Sequence, residues 1–345
     1  MNIVDLRSDT VTQPTPAMRE AMAKAEVGDD VMGEDPTINR LQELAAERLG
    51  KEAGIFVPSG TMGNLVAVLA HCGRGDEAIM GRLGHTFLFE AGGMSALGGV
   101  MANTIPNQPD GTLAMDDLRG ALRDIHDPHH PISRLVILEN TQNRCGGTVL
   151  TPEYTRQVAD FAHERGLKLH IDGARIFNAA VALGLPASQL VDGADSVTFC
   201  LSKGLCAPVG SVLCGSREFI DRTQRLRKQL GGGMRQAGIL AAAGIVALEQ
   251  MVDRLAEDHR RACDLARGLA QVTGLKLHMG MPQTNMVFVS LDDGVPGTAW
   301  DVCLRLEKHG VLTHDVSERA FRLVTHYWVT DEGIQQTVDA FAKVL

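Results

Sequence analysis

The sequence predicts an α/β fold with two domains, and three observations lead to this prediction. The chain has 345 residues, more than a usual single domain of about 150 residues. Short apolar runs alternate with segments of helical periodicity through the middle of the chain. After about residue 250 the strand-like runs become fewer and follow a long helical segment. We therefore expect a large sheet-centred domain over residues 1–250 and a smaller C-terminal α+β domain over residues 251–345.

One β-α-β unit is predicted between residues 135 and 172. Its first strand is the apolar run Leu135–Leu138, and Thr151 and Pro152 fit the N-cap and first position of the helix that follows. The second strand, residues 167–172, alternates between apolar and polar side chains. A helical crossover joins parallel strands. The large sheet is therefore expected to be mostly parallel.

Further strands are predicted where β-branched and aromatic residues are followed by Gly, Ser or Asn. In the large domain they are Ile55–Val57, Ala78–Met80, Val100–Asn103 and Val197–Leu201. A helix is expected to begin near Gly238 and to continue past Glu249. Beyond this helix, Asn285–Leu291 and Phe321–Val324 predict a small second sheet.

Composition limits the classes of function. The formal net charge is −9 and no block of Lys and Arg occurs, whereas a protein that binds nucleic acid needs a basic face. The most apolar stretch, Ile239–Leu248, has about half of the roughly 20 residues that a membrane-spanning helix needs. Charges near the N-terminus interrupt any signal-peptide core, and the seven cysteines form no Cys-x-x-Cys pair. We expect a cytoplasmic protein with reduced thiols that binds neither nucleic acid nor membranes.

Lys203 is the first candidate for chemistry. Ligands of open α/β sheets bind beyond the carboxyl ends of the strands, so reactive residues are sought where apolar runs end. Ser202, Lys203 and Gly204 follow the predicted strand that ends at Leu201. A lysine whose charge is partly suppressed by burial forms a Schiff base with an aldehyde. The alternative is a solvated lysine at a strand end.

Asp172 ends the second strand of the β-α-β unit. An acidic group at this point would keep the pyridine nitrogen of pyridoxal 5′-phosphate (PLP) protonated, which that cofactor needs in order to accept electrons. At an effective dielectric constant of about 20 and a separation of about 4 Å, such a pair is worth on the order of 4 kcal/mol. The alternative is an ordinary turn or N-cap residue.

Two Gly-containing turns and a histidine cluster supply further candidates. Ser59–Asn64 lies between a strand and a helix, where free backbone N–H groups attract phosphate, although such a turn is often only structural. His85 follows another such turn, where an imidazole can stack on a flat ring or transfer protons, and a core histidine is the alternative. His126, His129 and His130 lie among prolines that break the helix typical of paired metal ligands. We predict a loop there, with one histidine facing the site and no metal.

Taken in order, these residues resemble the low-specificity L-threonine aldolases, a family of PLP-dependent enzymes with the aspartate-aminotransferase-like fold. The matching segments are Asp5–Thr12, Val27–Val31, Pro58–Thr61, His170–Arg175, Leu201–Gly204, Gly231–Gln236 and Arg322–His326. The resemblance implies a PLP-dependent transferase-like fold with a large, mostly parallel sheet of the seven-stranded type. It also implies cleavage of L-threonine, L-allo-threonine and related β-hydroxy-α-amino acids to glycine and an aldehyde, acetaldehyde for threonine.

The resemblance further implies which residues contact the cofactor. Lys203 is expected to carry PLP covalently, and Asp172 to meet its pyridine nitrogen. Gly60 and Thr61 are expected to hold the phosphate. His85 is expected to stack on the ring and to take part in catalysis.

The resemblance assigns the substrate contacts to Ser8, Arg175 and Arg322, which would bind the carboxylate or order the site around it, with Arg175 also among the cofactor contacts. A bidentate arginine fixes a carboxylate well, and a surface ion pair is the alternative for Arg322 alone. Arg235, after a run of glycines, is similar to the residue that reaches the phosphate in a neighbouring subunit. This implies a homo-oligomer, a homotetramer built from dimers that share active sites.

The base that removes the β-hydroxyl proton stays open among His85, His129 and a bound water. Counting back from the Leu-Glu-Asn-Thr strand end favours His129 over His130. A β-eliminating lyase or an aminotransferase on the same fold would share Lys203 and Asp172 and release different products. A PLP-binding regulator without turnover is a further alternative, which the absence of a helix-turn-helix or basic segment disfavours.

Overall fold

A seven-stranded sheet forms the centre of the larger unit in the computed structural model, which describes residues 3–345. The strands are β1 (Val4–Asp5), β2 (Ala53–Val57), β3 (Asp76–Gly81), β4 (Met101–Ile105), β5 (Ile132–Glu139), β6 (Lys168–Asp172), β7 (Ser196–Cys200), β8 (Ser211–Gly215), β9 (Leu275–Leu277), β10 (Met286–Leu291), β11 (Val311–Leu312), β12 (His314–Ser317) and β13 (Ala320–Val324). The large sheet has the order β2-β8-β7-β6-β5-β3-β4. All its pairs are parallel except those of β8, which is antiparallel to β2 and β7. The predicted large, mostly parallel sheet is confirmed.

Helices connect these strands and cover the sheet. They are α1 (Pro16–Lys24), α2 (Pro36–Leu49), α3 (Gly60–His71), α4 (His85–Leu88), α5 (Gly93–Ala96), α6 (Met115–Ala121), α7 (Pro152–His163), α8 (Ile176–Leu183), α9 (Ala187–Leu190), α10 (Arg217–Gln229), α11 (Gly238–Val246), α12 (Leu255–Leu269), α13 (Ala299–Glu307) and α14 (Asp331–Val344). Short 3-10 helices span Asp9–Val11, Asp30–Met32 and Asn143–Cys145. Over residues 3–345, none of these helices is long and apolar enough to cross a membrane.

Capping residues determine where the helices of the large unit begin. Thr151 accepts a hydrogen bond from the Tyr154 N–H at 3.3 Å, with Pro152 in the first turn of α7, as the sequence predicts. Ser59 caps α3 by accepting from the Met62 N–H at 3.2 Å. The predicted β-α-β unit is therefore present as β5, α7 and β6.

A four-stranded antiparallel sheet, of order β12-β13-β10-β9, forms the smaller unit. The N-terminal strand β1 belongs to this unit, because Val4 pairs with Val311 of β11, and the side chains of Val4 and Leu6 lie in the core between α12, α14 and the small sheet. This differs from the expected division, which gives the N-terminal segment to the large domain. The reason is that the apolar side chains of Val4 and Leu6 are buried in the core of the smaller unit, whose other residues lie far along the chain.

The connection between the units follows the expected helical segment. Helix α11 begins at Gly238 as predicted and continues through a π-helical turn, Ala247–Met251, before α12 begins at Leu255. This path carries the chain from the core of the large sheet to that of the small one. Because β3, β5, β6 and β7 are parallel, their carboxyl ends lie together at one end of the large sheet, on the side of the small unit.

Candidate active site

A cavity of about 670 Å³ opens at the carboxyl ends of the parallel strands. Asp172 ends β6 and Lys203 follows β7, so adjacent strands carry the two residues toward the same edge. The predicted site residues that line the cavity are Ser8, His85, Arg175, Lys203 and Arg322. Residues from both units thus meet around one space.

Lys203 lies in a tightly packed turn. Its carbonyl oxygen accepts a hydrogen bond from Thr12 Oγ1 at 2.9 Å, which ties the turn to the N-terminal segment. The next residue, Gly204, leaves no free room for a side chain, because a Cβ there would lie 3.0 Å from Leu255 Cδ2. Among residues 3–345, Lys203 is the lysine that lines the cavity.

His85 begins α4 and is held at two points. Its backbone N–H donates to Glu139 Oε2 at 2.6 Å, and its Nδ1 lies 2.8 Å from Glu90 Oε1. The hydrogen bond to Glu90 raises the pKa of His85 above its ordinary value. The imidazole side chain is 34% exposed. Glu90 therefore orients a histidine whose ring remains open to the cavity.

Asp172 is buried beneath His85 in a crowded acidic cluster. Oxygen or nitrogen atoms of His85, Glu90 and Asp172 all lie within 4.8 Å of one another. Asn64 Nδ2 donates to Asp172 Oδ2 at 2.9 Å, and the Ala174 N–H donates to Asp172 Oδ1 at 3.2 Å. Burial raises the pKa of Glu90, and the nearby charge of Asp172 adds to this effect. Glu90 therefore keeps a proton to a higher pH than a free carboxyl group does.

Glu139, at the end of β5, connects two walls of the cavity. Its Oε1 accepts from the Asn143 N–H at 2.9 Å, while its Oε2 accepts from the His85 N–H. Burial of this carboxyl, followed by the charge of Asp172, raises the pKa of Glu139 to about 7. One carboxylate thus positions both the start of α4 and the turn after β5.

Arg175 makes a closed ion pair with Asp9. Its Nε and Nη2 donate to the two oxygens of Asp9 at 2.7 and 2.5 Å, and both side chains are buried. Burial alone would raise the pKa of Asp9, but the charge of Arg175 outweighs it and holds that pKa well below its ordinary value. This bidentate geometry stabilises the N-terminal segment against α8.

Arg322, on β13, lines the same cavity without a carboxylate partner. Its Nη1 donates to Asn143 Oδ1 at 2.8 Å and its Nη2 to the Arg7 carbonyl at 3.3 Å, and the buried Nε has no hydrogen-bond acceptor. No carboxylate oxygen among residues 3–345 lies within 4.0 Å of this guanidinium. Burial, and then the charge of Arg175, lowers the pKa of Arg322 to about 10. The cavity therefore contains a cation that makes no direct ion pair, although the charge of Asp9 acts on it.

The start of α3 approaches the end of β7 closely. A Cβ on Gly60 would lie 2.8 Å from Cys200 Sγ, so only glycine allows this packing. The N-terminal N–H groups of α3, including those of Gly60 and Thr61, favour an anion. Ser8, on the opposite wall, accepts from the Thr10 N–H at 3.2 Å and caps the first 3-10 helix.

Five predicted residues are not among those that line this cavity: Gly60, Thr61, Asp172, His129 and Arg235. His129 precedes β5, at the amino end of the sheet, and its side chain is 88% exposed beside Asp127. The expectation that His129 faces the site of its own chain is not met. A residue that precedes a parallel strand lies at the amino end of the sheet, whereas the cavity opens at the carboxyl end. Arg235 pairs with Asp29 at 2.9 Å and is 57% exposed, also away from the cavity.

Sequence reasoning missed several residues around the site. Glu139 obeys the rule that found Asp172, since it also ends a strand, and could have been found in this way. Asn64, Glu90 and Asp9 carry no such signal. Their roles depend on partners that are distant along the chain.

Comparison with known proteins identifies similar chains. The model of a family described as beta-eliminating lyase matches residues 5–293. The probable low-specificity L-threonine aldolase 2 of Arabidopsis thaliana is 49% identical over 343 residues, which cover 99% of this chain and 97% of that protein. The low specificity L-threonine aldolase of Escherichia coli K12 is 47% identical over 334 residues, 97% of each chain.

Solved structures share the fold. A threonine aldolase from Leishmania major superposes with a TM-score of 0.84 at 22% identity, covering 99% of this chain and 100% of that chain. A putative L-allo-threonine aldolase from Listeria monocytogenes gives a TM-score of 0.81 at 22% identity, covering 99% and 96%. At these identities the structures support the architecture alone.

Proposed function

The chain belongs to the beta-eliminating lyase family, and on this premise we propose that it is a PLP-dependent aldolase. It cleaves L-threonine, L-allo-threonine and related β-hydroxy-α-amino acids to glycine and an aldehyde. Relatives named as low-specificity threonine aldolases match nearly its whole length at 47–49% identity. The structural observation that supports the proposal is Arg322, a half-buried cation without a direct ion-pair partner, in the cavity that Lys203 also lines.

The residues present fit PLP. Lys203 offers an amine for the aldehyde, and Asp172 offers a buried carboxylate for the ring nitrogen. The first residues of α3, Gly60 and Thr61, offer N–H groups for the phosphate, and His85 offers a flat ring over the cavity. When bound, the cofactor supplies a protonated ring that accepts the electron pair of the bond broken at the substrate Cα.

Arg322 is the proposed partner of the substrate carboxylate. A carboxylate between Arg322 and Ser8 would lie beside this guanidinium and would neutralise its charge. Arg175 then holds the N-terminal wall in place through Asp9. A fixed carboxylate leaves the Cα–Cβ bond in one orientation, and orientation selects which bond breaks.

His85 is the proposed base within the chain. Its Nδ1 is engaged by Glu90, so Nε2 is the ring nitrogen that remains to accept the β-hydroxyl proton, directly or through a water. Glu90 stabilises the imidazolium that results. The other candidate base, His129, would have to come from another subunit.

A homotetramer built from dimers with shared active sites is part of the proposal. Arg235 supports it, because this exposed cation lies away from the cavity of its own chain. On this account Arg235 reaches the phosphate in a neighbouring subunit. Arg235→Ala should weaken PLP retention more than it changes folding, and unchanged cofactor affinity would contradict this role.

The test of the proposed function is product analysis with all four threonine stereoisomers. The holoenzyme should release equimolar glycine and acetaldehyde from L-threonine or L-allo-threonine. Release of ammonia with a keto acid would identify a β-eliminating lyase instead, and a keto acid formed without ammonia, only when an amino-group acceptor is added, would identify an aminotransferase. Tight PLP binding without any product from the four isomers would favour a regulator.

A further inference from the structure

A chain of buried hydrogen bonds runs from Asp172 beneath α3 and away from the cavity. His71 Nε2 lies 2.8 Å from Ser196 Oγ, which lies 2.8 Å from His170 Nδ1. His170 Nε2 lies 3.2 Å from Asn64 Oδ1. The Asn64 amide nitrogen then donates to Asp172 Oδ2 at 2.9 Å and to Glu90 Oε1 at 2.8 Å. The chain ends on the two carboxylates nearest the proposed ring.

Elementary chemistry fixes the direction of this chain. Carboxylates accept hydrogen bonds, so the Asn64 amide nitrogen must face Asp172 and Glu90, and its oxygen must face His170. The reverse orientation would place Asn64 Oδ1 beside two carboxylate oxygens. His170 therefore donates from Nε2 and accepts at Nδ1 from the Ser196 hydroxyl. That hydroxyl in turn accepts from His71 Nε2.

Both histidines of the chain are neutral. Burial lowers the pKa of His170 to about 3 and that of His71 to about 4. A neutral imidazole has one donor and one acceptor, which the assigned direction requires at His170. The stack of His71 on Phe219, with ring centroids 4.6 Å apart, holds the first member of the chain in place.

Close packing of α3 on the sheet brings Asn64 within reach of Asp172. A Cβ on Gly63 would lie 2.5 Å from Thr198 Cγ2, so glycine lets the helix approach β7. His71, also on α3, then contacts Ser196 of β7, while Asn64 contacts His170 and Asp172 of β6. Two positions on one helix thus contact two adjacent strands.

We propose that Asn64 is a positioning residue whose amide, oriented by His170, Ser196 and His71, keeps Asp172 ionised toward the cofactor ring nitrogen. This inference rests on the proposed contact between Asp172 and that nitrogen. Three carboxylates, Asp172, Glu90 and Glu139, repel one another at this edge of the sheet. The Asn64 amide is shared by two of them, so it lowers the cost of keeping both in one cluster.

The titratable groups that face Asp172 come from three elements. They are His85 and Glu90 in and after α4, Glu139 at the end of β5, and His170 on β6. With Asn64 lost, negative charge on Asp172 would be balanced less well against these neighbours. Asp172 would then be a stronger proton acceptor, so the proton shared by the pair would lie less on the ring nitrogen and more on Asp172.

The experiment is an NMR titration of the holoenzyme loaded with PLP that carries an isotopic label at the ring nitrogen. The chemical shift of that nitrogen reports whether it carries a proton, independently of turnover. In Asn64→Leu we expect the ratio of protonated to unprotonated ring nitrogen, at a pH where the pair holds one proton, to fall about tenfold, because a hydrogen bond to a charged group is lost. Ser196→Ala should give a smaller fall, since the amide remains but is oriented less firmly.

Asn103→Leu is the matched control. Asn103 also donates to a buried carboxylate, Glu77, at 3.0 Å, but at the amino end of the sheet. This variant should match the wild type. An unchanged titration in Asn64→Leu overturns the inference, and if that variant does not fold, an unchanged Ser196→Ala overturns it. An unprotonated ring in the wild type would instead contradict the proposed contact of Asp172.

Discussion

Buried charged groups have complete sets of partners at the amino end of the large sheet and incomplete sets at the carboxyl end. At the amino end, Glu77 is fully buried and satisfied, since it accepts from Ser133 Oγ and Asn103 Nδ2 at 3.0 Å and from Arg123 Nε at 3.2 Å. At the carboxyl end, acidic groups crowd together and Arg322 has no carboxylate partner.

This difference separates structural charges from functional ones. A buried ion is tolerated when its partners are complete, as at Glu77, and is costly when they are not. The incomplete end is the one that also contains Lys203 and the cavity. This contrast supports the proposal that Arg322 binds the substrate carboxylate.

The ion pair of Arg175 with Asp9 should behave as a completed structural pair, although it lies at the carboxyl end. Arg175→Leu leaves Asp9 buried without its cation, so the free energy of unfolding should fall by about 3–5 kcal/mol. Denaturant unfolding measures this. The double variant with Asp9→Asn should recover much of the loss, and a single variant as stable as the wild type would contradict the account.

Arg322 should show the opposite balance between stability and function. Arg322→Leu should lower kcat/KM for L-threonine on the order of 10²- to 10³-fold, because the proposed carboxylate contact is lost. Its free energy of unfolding should fall by no more than about 1 kcal/mol, since no ion pair is broken. The matched control is Arg123→Leu, which breaks the pair with Glu77 and should leave kcat/KM unchanged. If Arg322→Leu and Arg123→Leu lowered kcat/KM equally, the distinction between a functional and a structural arginine would be contradicted.

Glu139 should make stability depend on pH. Its pKa in the folded protein, about 7, lies above the ordinary value of 4.5. Its contribution to stability is therefore complete below about pH 4.5 and is lost as the pH rises through about 7. Glu139→Gln should gain on the order of 1–2 kcal/mol relative to the wild type between these limits, allowing for partial exposure. Parallel urea titrations at the two pH values test this, and a constant difference would contradict it.

The apolar runs predicted much of the sheet because buried parallel strands are continuous and hydrophobic. The same runs show where the strands end. The rule that ligands bind beyond the carboxyl ends of parallel strands therefore selected Asp172, which ends β6, and Lys203, which follows β7. Arg322 differs, since the sequence cannot show that a cation lacks a partner. The pairing of Asp9 with Arg175, separated by 166 residues, likewise depends on the packing of the two units.

His129 shows a second limit of sequence reasoning. Counting back from the Leu-Glu-Asn-Thr strand end selected His129 along the chain. It did not show at which end of the strands this residue lies. His129 precedes β5 and lies at the amino end of the sheet, whereas Glu139, the last residue of β5, lies at the carboxyl end. Asn64 is missed for a further reason, because its role requires three partners, Glu90 after α4 and His170 and Asp172 on β6.

The most direct test of the central claim is to locate the covalent attachment of the cofactor. The holoenzyme is reduced with borohydride, which fixes PLP to the amine that holds it, then digested and analysed by mass spectrometry. The modified peptide should carry the label on Lys203, and Lys203→Ala should abolish both the label and turnover. Label on another lysine, with full activity of Lys203→Ala, would contradict it.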